Sequence, residues 1–189
     1  MMRKTYDEDS VAWWALNNTR KEYLLEDGSV RTRTPPHLFE VPDLTTGTTS
    51  GFEQSVACYR TDYSFGRSVS GEATARINDR GPLKARPIGV IIKNDHHTAL
   101  LFQKLTSADT IDSIIIHTMT NLKTGIQEES SITLTNCQIT KIVSDGYFAY
   151  VEIYYDQIDF SYNQFDRSGT NQGAVAAGFN YSTWSASGS

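Results

Sequence analysis

The sequence has little cysteine, little proline, no long apolar run and no excess of positive charge, and each shortage excludes a class of protein. Two cysteines, Cys58 and Cys137, cannot frame a secreted disulfide scaffold, and a chain of 189 residues buries enough surface to fold without such staples. Both read as buried thiols packed as small apolar groups. Apolar stretches such as Ile114 to Ile116 are far shorter than the roughly 20 residues a bilayer demands, so no membrane insertion is expected. Asp7, Glu8 and Asp9 stand where the apolar part of a secretory signal would lie, so an exported form would leave by another machine. A formal charge of −5 argues against a nucleic-acid partner, which would demand a dense Lys/Arg face. The glycine-rich phosphate loops and the G-x-S-x-G elbow are missing, so no catalytic residue and no cofactor is nominated.

What is present after position 55 is alternation. Val69, Gly71, Ala73, Ala75 and Ile77 alternate with Ser70, Glu72, Thr74 and Arg76, the pattern of a strand with one wet face. Further strands are predicted over 55–65, 87–93, 111–119, 130–143 and 147–163. In the last, Ala149, Val151, Ile153 and Tyr155 are odd while Ile158, Phe160 and Tyr162 are even, so a bulge or bend is placed at Asp156 and Gln157. One helix is predicted, capped by Asn94 and Asp95, with a stripe of Ala99, Phe102 and Leu105, Leu101 beside it, and an end near Ser107. Asp27-Gly28 and Asp145-Gly146 suit tight turns, and Gly81-Pro82 is expected to break any strand between 78 and 86, leaving 66–86 as a hairpin arm or loop. The fold class is therefore mainly β: a small barrel of two packed antiparallel sheets with one short flanking helix. A composition shift at TTGTTSG separates residues 1–50 from the regular strand pattern of 51–189, and STWSASGS closes the chain as a polar tail.

Few residues suggest chemistry. Asp95-His96-His97 resembles a set of metal ligands, but neighbours on a helix point about 100° apart and no further ligand stands at a completing distance, so exposed helix-start histidines are expected and no metal site is assigned. His37 and His117 stand alone in the sequence. Trp13-Trp14 could stack on a sugar or a partner, but a core plug or edge-strand anchor is the expectation. Charge is the stronger signal: from Arg60 to Lys93 there are seven basic residues against three acids, and after Leu105 three basic residues against nine acids. Such segregation either solvates different strands or supplies the two unlike patches of a head-to-tail interface.

The C-terminal part carries the most specific pattern. VEIYYDQIDFSYNQFD, from Val151 to Asp166, precedes GTNQGAVAAGFNYSTW, from Gly169 to Trp184: an aromatic alternating strand, Tyr162, the pair Asn163-Gln164, then Gly169, Gly173, Ala174 and Val175. Together these resemble the closing strand and tail of the haemolysin-coregulated protein (Hcp) family, the inner-tube proteins of bacterial type VI secretion. KNDHHTALLFQKLTSADTIDSIIIHTM, from Lys93 to Met119, resembles that family's strand-helix-meander junction, and YRTDYSFGRSVSG, from Tyr59 to Gly71, the strand entering its extended loop. The likeness covers about residues 52–184. It departs from the family in placing some fifty residues before the first matching strand, of which EYLLEDGSVRTRT is the candidate to supply a first strand or hairpin.

The resemblance implies a structural protein and not an enzyme. Six copies would close into a ring, and stacked rings would form a tube that carries effector cargo in its lumen, with sheath and spike proteins as partners. It would assemble in the bacterial cytoplasm and then pass to the exterior or a target cell without a signal peptide. Arg67, Arg76, Arg80 and Lys84 on the 66–86 arm are the candidates for ring stacking. Two other readings remain open at this point: the tail tube of a contractile phage or extracellular injection particle, and a sugar-binding β-sandwich using Trp13-Trp14.

Overall fold

Alternating segments of the chain become strands, and the aromatic, charged N-terminus becomes a helix. The computed structural model describes residues 8–31, 35–69, 80–84, 86–122 and 125–188. In chain order these form α1 (Glu8–Tyr23), β1 (His37–Glu40), β2 (Ser55–Asp62), β3 (Gly66–Val69), β4 (Arg80–Lys84) and β5 (Ile88–Lys93). They continue as α2 (His96–Ser107), β6 (Ile111–Leu122), β7 (Gly125–Ser144), β8 (Phe148–Tyr154), β9 (Gln157–Phe165), β10 (Asn171–Asn180) and β11 (Ser185–Gly188).

Nine strands make one antiparallel sheet, ordered β11-β10-β9-β7-β6-β1-β2-β5-β8, with an additional pairing of β7 to β8. That pairing closes β7, β6, β1, β2, β5 and β8 into a circuit, so one continuous sheet folds onto itself in place of two separate sheets. The closure depends on how the 147–165 segment parts. Tyr154 lies opposite Gln138 and Gln157 opposite Thr135, while Tyr155 and Asp156 leave the ladder where Asn136 adopts a left-handed backbone with φ of 54°. The expected bend is thus a complete break. It sends β8 toward β5 and β9 toward β10, and Asn136 Nδ2 bridges the gap by donating to Asp156 Oδ2 over 3.3 Å.

The circuit encloses the main core: Phe39, Val90, Ile92, Ile114, Ile116, Leu134, Ala149, Val151 and Ile153, with Cys58 and Cys137 among them. Burying each large apolar side chain contributes roughly 1.5–3 kcal/mol, so these residues dominate the fold's stability. Both thiols are free and buried, as expected, and desolvation pushes the pKa of each up to about 12.

Two helices, not one, stand among the described residues. The second cluster explains the first helix: Ala12, Ala15, Leu16 and Tyr23 pack on Ile91, Phe148 and Tyr150, and with buried Thr19 they form one stripe at helical spacing. Strand β5 is consequently buried on both faces. Trp13 and Trp14 lie off that stripe, exposed by 45% and 60%, which overturns the expectation of a core plug or edge-strand anchor. EYLLEDGSVRTRT supplies no ladder strand among its described residues, only the single bridge Leu24↔Val30 around the Asp27-Gly28 turn. The first strand is β1, wedged between β2 and β6.

Helix α2 starts and ends as the sequence indicates, with Asp95 as N-cap and Ala108 as a left-handed C-cap. Its buried face is His97, Thr98 and Leu101, flanked by Leu105, and Phe102 is 54% exposed, so the helix is rotated from the predicted stripe. Strand β4 runs through Gly81-Pro82, contrary to expectation. A two-stranded edge tolerates it because the pairing skips Pro82, passing from Arg67↔Leu83 to Val69↔Arg80. The chain's polar end is also not a free tail, since β11 pairs with β10.

Candidate functional site

The metal-like trio is a helix cap. Asp95, His96 and His97 hold potential ligand atoms within 4.8 Å of one another, yet His97 is buried, against the expectation of exposure, and its nitrogens are engaged. Asp95 Oδ1 accepts from the His97 backbone N–H and lies 2.9 Å from His97 Nδ1, while His97 Nε2 accepts from the Thr46 N–H at 3.3 Å. This network assigns the proton to Nδ1 and ties the 41–55 loop to the helix start. It positions a loop and offers no open ligand position on His97.

His117, solitary in the sequence, lies at the centre of a half-buried polar cluster. Its Nδ1 contacts Glu128 Oε2, its Nε2 is 3.3 Å from Glu40 Oε2, and the Phe52 ring meets it edge-on. Ser55 donates to the same Glu40 oxygen over 3.1 Å. The His117 hydrogen bond holds the Glu128 carboxyl below its ordinary value against the opposing effect of desolvation. Sequence reasoning missed this cluster because its members come from β1, β2, β6 and β7, and no local spacing announces it. It clamps four strands together, and its one hydroxyl, that of Ser55, donates to Glu40 and not to His117.

The C-terminal motif residues have structural roles that the geometry makes explicit. Tyr162 donates to Glu129 Oε1 and Asn163 Nδ2 to the Glu128 carbonyl, both over 3.0 Å, pinning β9 to the irregular step of β7 opposite Thr118 and Met119. Gly169 (φ 87°) closes the turn whose N–H groups are gathered by Asp166, and Gly173 (φ 125°) follows an irregularity opposite the exposed Gln164. These glycines need backbone angles that a side chain would strain.

Two surfaces remain suited to assembly. One is the flap of β9, β10 and β11, which leaves the circuit at β7 and carries Tyr162, Val175 and Trp184, each more than half exposed. The other is the arm of β3 and β4. Arg67, Arg80 and Lys84 lie on its paired strands by register, whereas Arg76 and the rest of the 70–79 segment fall outside the described residues. The flap exposes apolar side chains, and the arm's segment is rich in cations in the sequence.

Known proteins share this geometry. The family model described as "Type VI secretion system effector, Hcp" matches residues 46–167. A solved structure titled as a type six secretion system protein superposes with a TM-score of 0.73 at 11% identity, covering 80% of this chain and 98% of its own. Hcp1 from Salmonella typhimurium gives 0.60 at 12%, covering 80% and 97%, and a doubly substituted Hcp1 from the E. coli EAEC 042 pathovar gives 0.60 at 14%, covering 78% and 99%. No curated protein matches significantly. At these identities the structural likeness concerns the fold alone.

Proposed function

The chain belongs to the Hcp family of type VI secretion, and from that premise we propose that it is a structural subunit of the inner tube, built as stacked hexameric rings. The observation that carries this reading is the coincidence of the family match with the closed circuit. Residues 46–167 contain β2, β5, β6, β7 and β8 of that circuit, together with α2 and β9. Residues 1–50 extend the tube domain of 51–189 by contributing β1 and α1. The tube carries effector cargo within its lumen and works with sheath and spike proteins. It is assembled in the cytoplasm and delivered outside the cell. No catalysis is required of it: His97 and His117 are engaged in structural contacts and both thiols are desolvated.

Within this reading the flap makes the in-plane contact and the arm, through Arg67, Arg76, Arg80 and Lys84, makes the contact between rings. Exposed ion pairs contribute only about 0–1 kcal/mol each and are screened beyond about 8–10 Å at physiological ionic strength. Recurring around a ring, they still decide whether rings stack. The experiment is electron microscopy of tubes formed by the wild type and by Arg76→Glu/Arg80→Glu, at low and at high salt. Shorter tubes in the variant and in high salt, with the ring's mass unchanged, support the arm as the stacking element. Equal tube lengths in every condition reject it.

A further inference from the structure

The outer face beneath α1 holds a cleft. Asp62 on β2, Gly89 on β5 and Glu152 on β8 are direct cross-strand partners, so all three face the same side of the sheet. With strands about 4.8 Å apart, the two acidic positions stand about 10 Å from one another across a residue that has no side chain. The Tyr150 ring occupies that gap: a Cβ at Gly89 would meet its hydroxyl at 2.2 Å and its ring at 2.5 Å. Burial raises the Tyr150 hydroxyl to about 12, with Glu152 and Asp62 adding to the effect, in keeping with a hydroxyl set between two carboxylates. Trp14 from α1 lines one side, and Tyr63 and Arg86, from the two roots of the arm, line the other, around a volume of about 580 Å³. That volume is within the range of small-molecule sites, about 300–1,000 Å³.

From this arrangement we infer that the cleft binds a neutral saccharide, with a sugar ring stacked on Trp14 and its hydroxyls shared between the carboxylates and Arg86. The charges select the class. Asp62 and Glu152 share the cleft with Arg86 and with Arg60, whose guanidinium lies 5.2 Å from the Trp14 ring centroid, and Lys141 stands opposite Glu152 on β7, so both signs of charge are present and a ligand of either sign meets repulsion as well as attraction. A wholly apolar ligand would strand Asp62, whose carboxyl is already raised because desolvation outweighs Arg60. A pyranose satisfies both demands: its C–H face covers exposed aromatic surface, and its hydroxyls both donate and accept. Glu152 accepts from Thr140 Oγ1 over 2.9 Å, which orients its carboxylate within the row. Trp14 lies outside the residues shared with the family, so the inference does not rest on the tube reading.

The test is titration of the full chain with three neutral tetrasaccharides, of β-1,4-linked glucose, β-1,4-linked N-acetylglucosamine and α-1,4-linked glucose, followed by NMR chemical shifts and tryptophan fluorescence. At least one should bind saturably. Trp14→Ala and the pair Asp62→Asn/Glu152→Gln should each weaken it tenfold or more, with Tm held within a few degrees because none of these side chains belongs to the core. Trp13→Ala, outside the cleft, should bind as the wild type does. Absence of saturable binding by all three sugars overturns the inference, as does undiminished binding by Trp14→Ala or tighter binding of an oligo-arginine peptide than of any sugar. Ring mass is recorded in parallel, so a loss of sugar binding is distinguishable from a failure of assembly.

Discussion

The closed circuit and the flap are made of the same kind of strand, yet they meet water in opposite ways. In β5 five of six residues are buried, and β8 is nearly as enclosed. In β10 six of ten residues are exposed, including the first five, and β11 is exposed throughout. The circuit has its core inside and α1 outside. The flap pairs with that body along β7 and sends Ile158 into its core with Phe160, Phe179 and Tyr181 packed alongside, but its outer strands are polar on both sides, and such a strand pair is marginal when alone. The contrast separates residues that make the subunit fold from residues left over for a partner.

Substitutions sharpen the contrast when ranked by their effect on the isolated subunit. Phe39→Ala empties a fully buried site in the circuit and should cost about 3–5 kcal/mol in denaturant unfolding. Gly89→Ala should cost about 1–3 kcal/mol, because the new methyl displaces the Tyr150 ring from a fixed place between β5 and β8. Glu128→Gln should cost about 1–2 kcal/mol at neutral pH by weakening a bond to a charged group. Its sign with pH is defined: the folded-state value of Glu128 is lowered, so its contribution is complete above the ordinary carboxylate range and lost as pH falls through the lowered value. Thermal melts from neutral to acidic pH should therefore converge for wild type and variant. Val175→Arg on the flap should change subunit stability by less than about 0.5 kcal/mol, measured by the same denaturant melt. A large loss there would place the flap in the folding unit and erase the distinction.

Much of the circuit was legible because its signals are local. The alternation of Ile88, Val90 and Ile92, the Asp95 cap, the Asp145-Gly146 turn and the phase change at Asp156 each appear where the sequence places them. Helix α1 was not legible, because its buried stripe is built largely from Ala12, Ala15 and Thr19 while its two largest apolar residues, Trp13 and Trp14, lie off that stripe. Four residues of β1 are too few to show a period, and their position depends on pairing with strands far along the chain. The same distance hid the His117 cluster and the row of Asp62, Gly89 and Glu152, which only register brings together. Strand β4 was concealed by Pro82, whose missing donor matters little where the pairing skips it.

The most direct measurement is the native mass of the wild type beside Val175→Arg across a wide concentration range. The tube account predicts a wild-type species of six times 21.1 kDa, and for the variant a folded monomer or smaller assembly with an unchanged melt. A wild type that stays at 21.1 kDa at every concentration would contradict it.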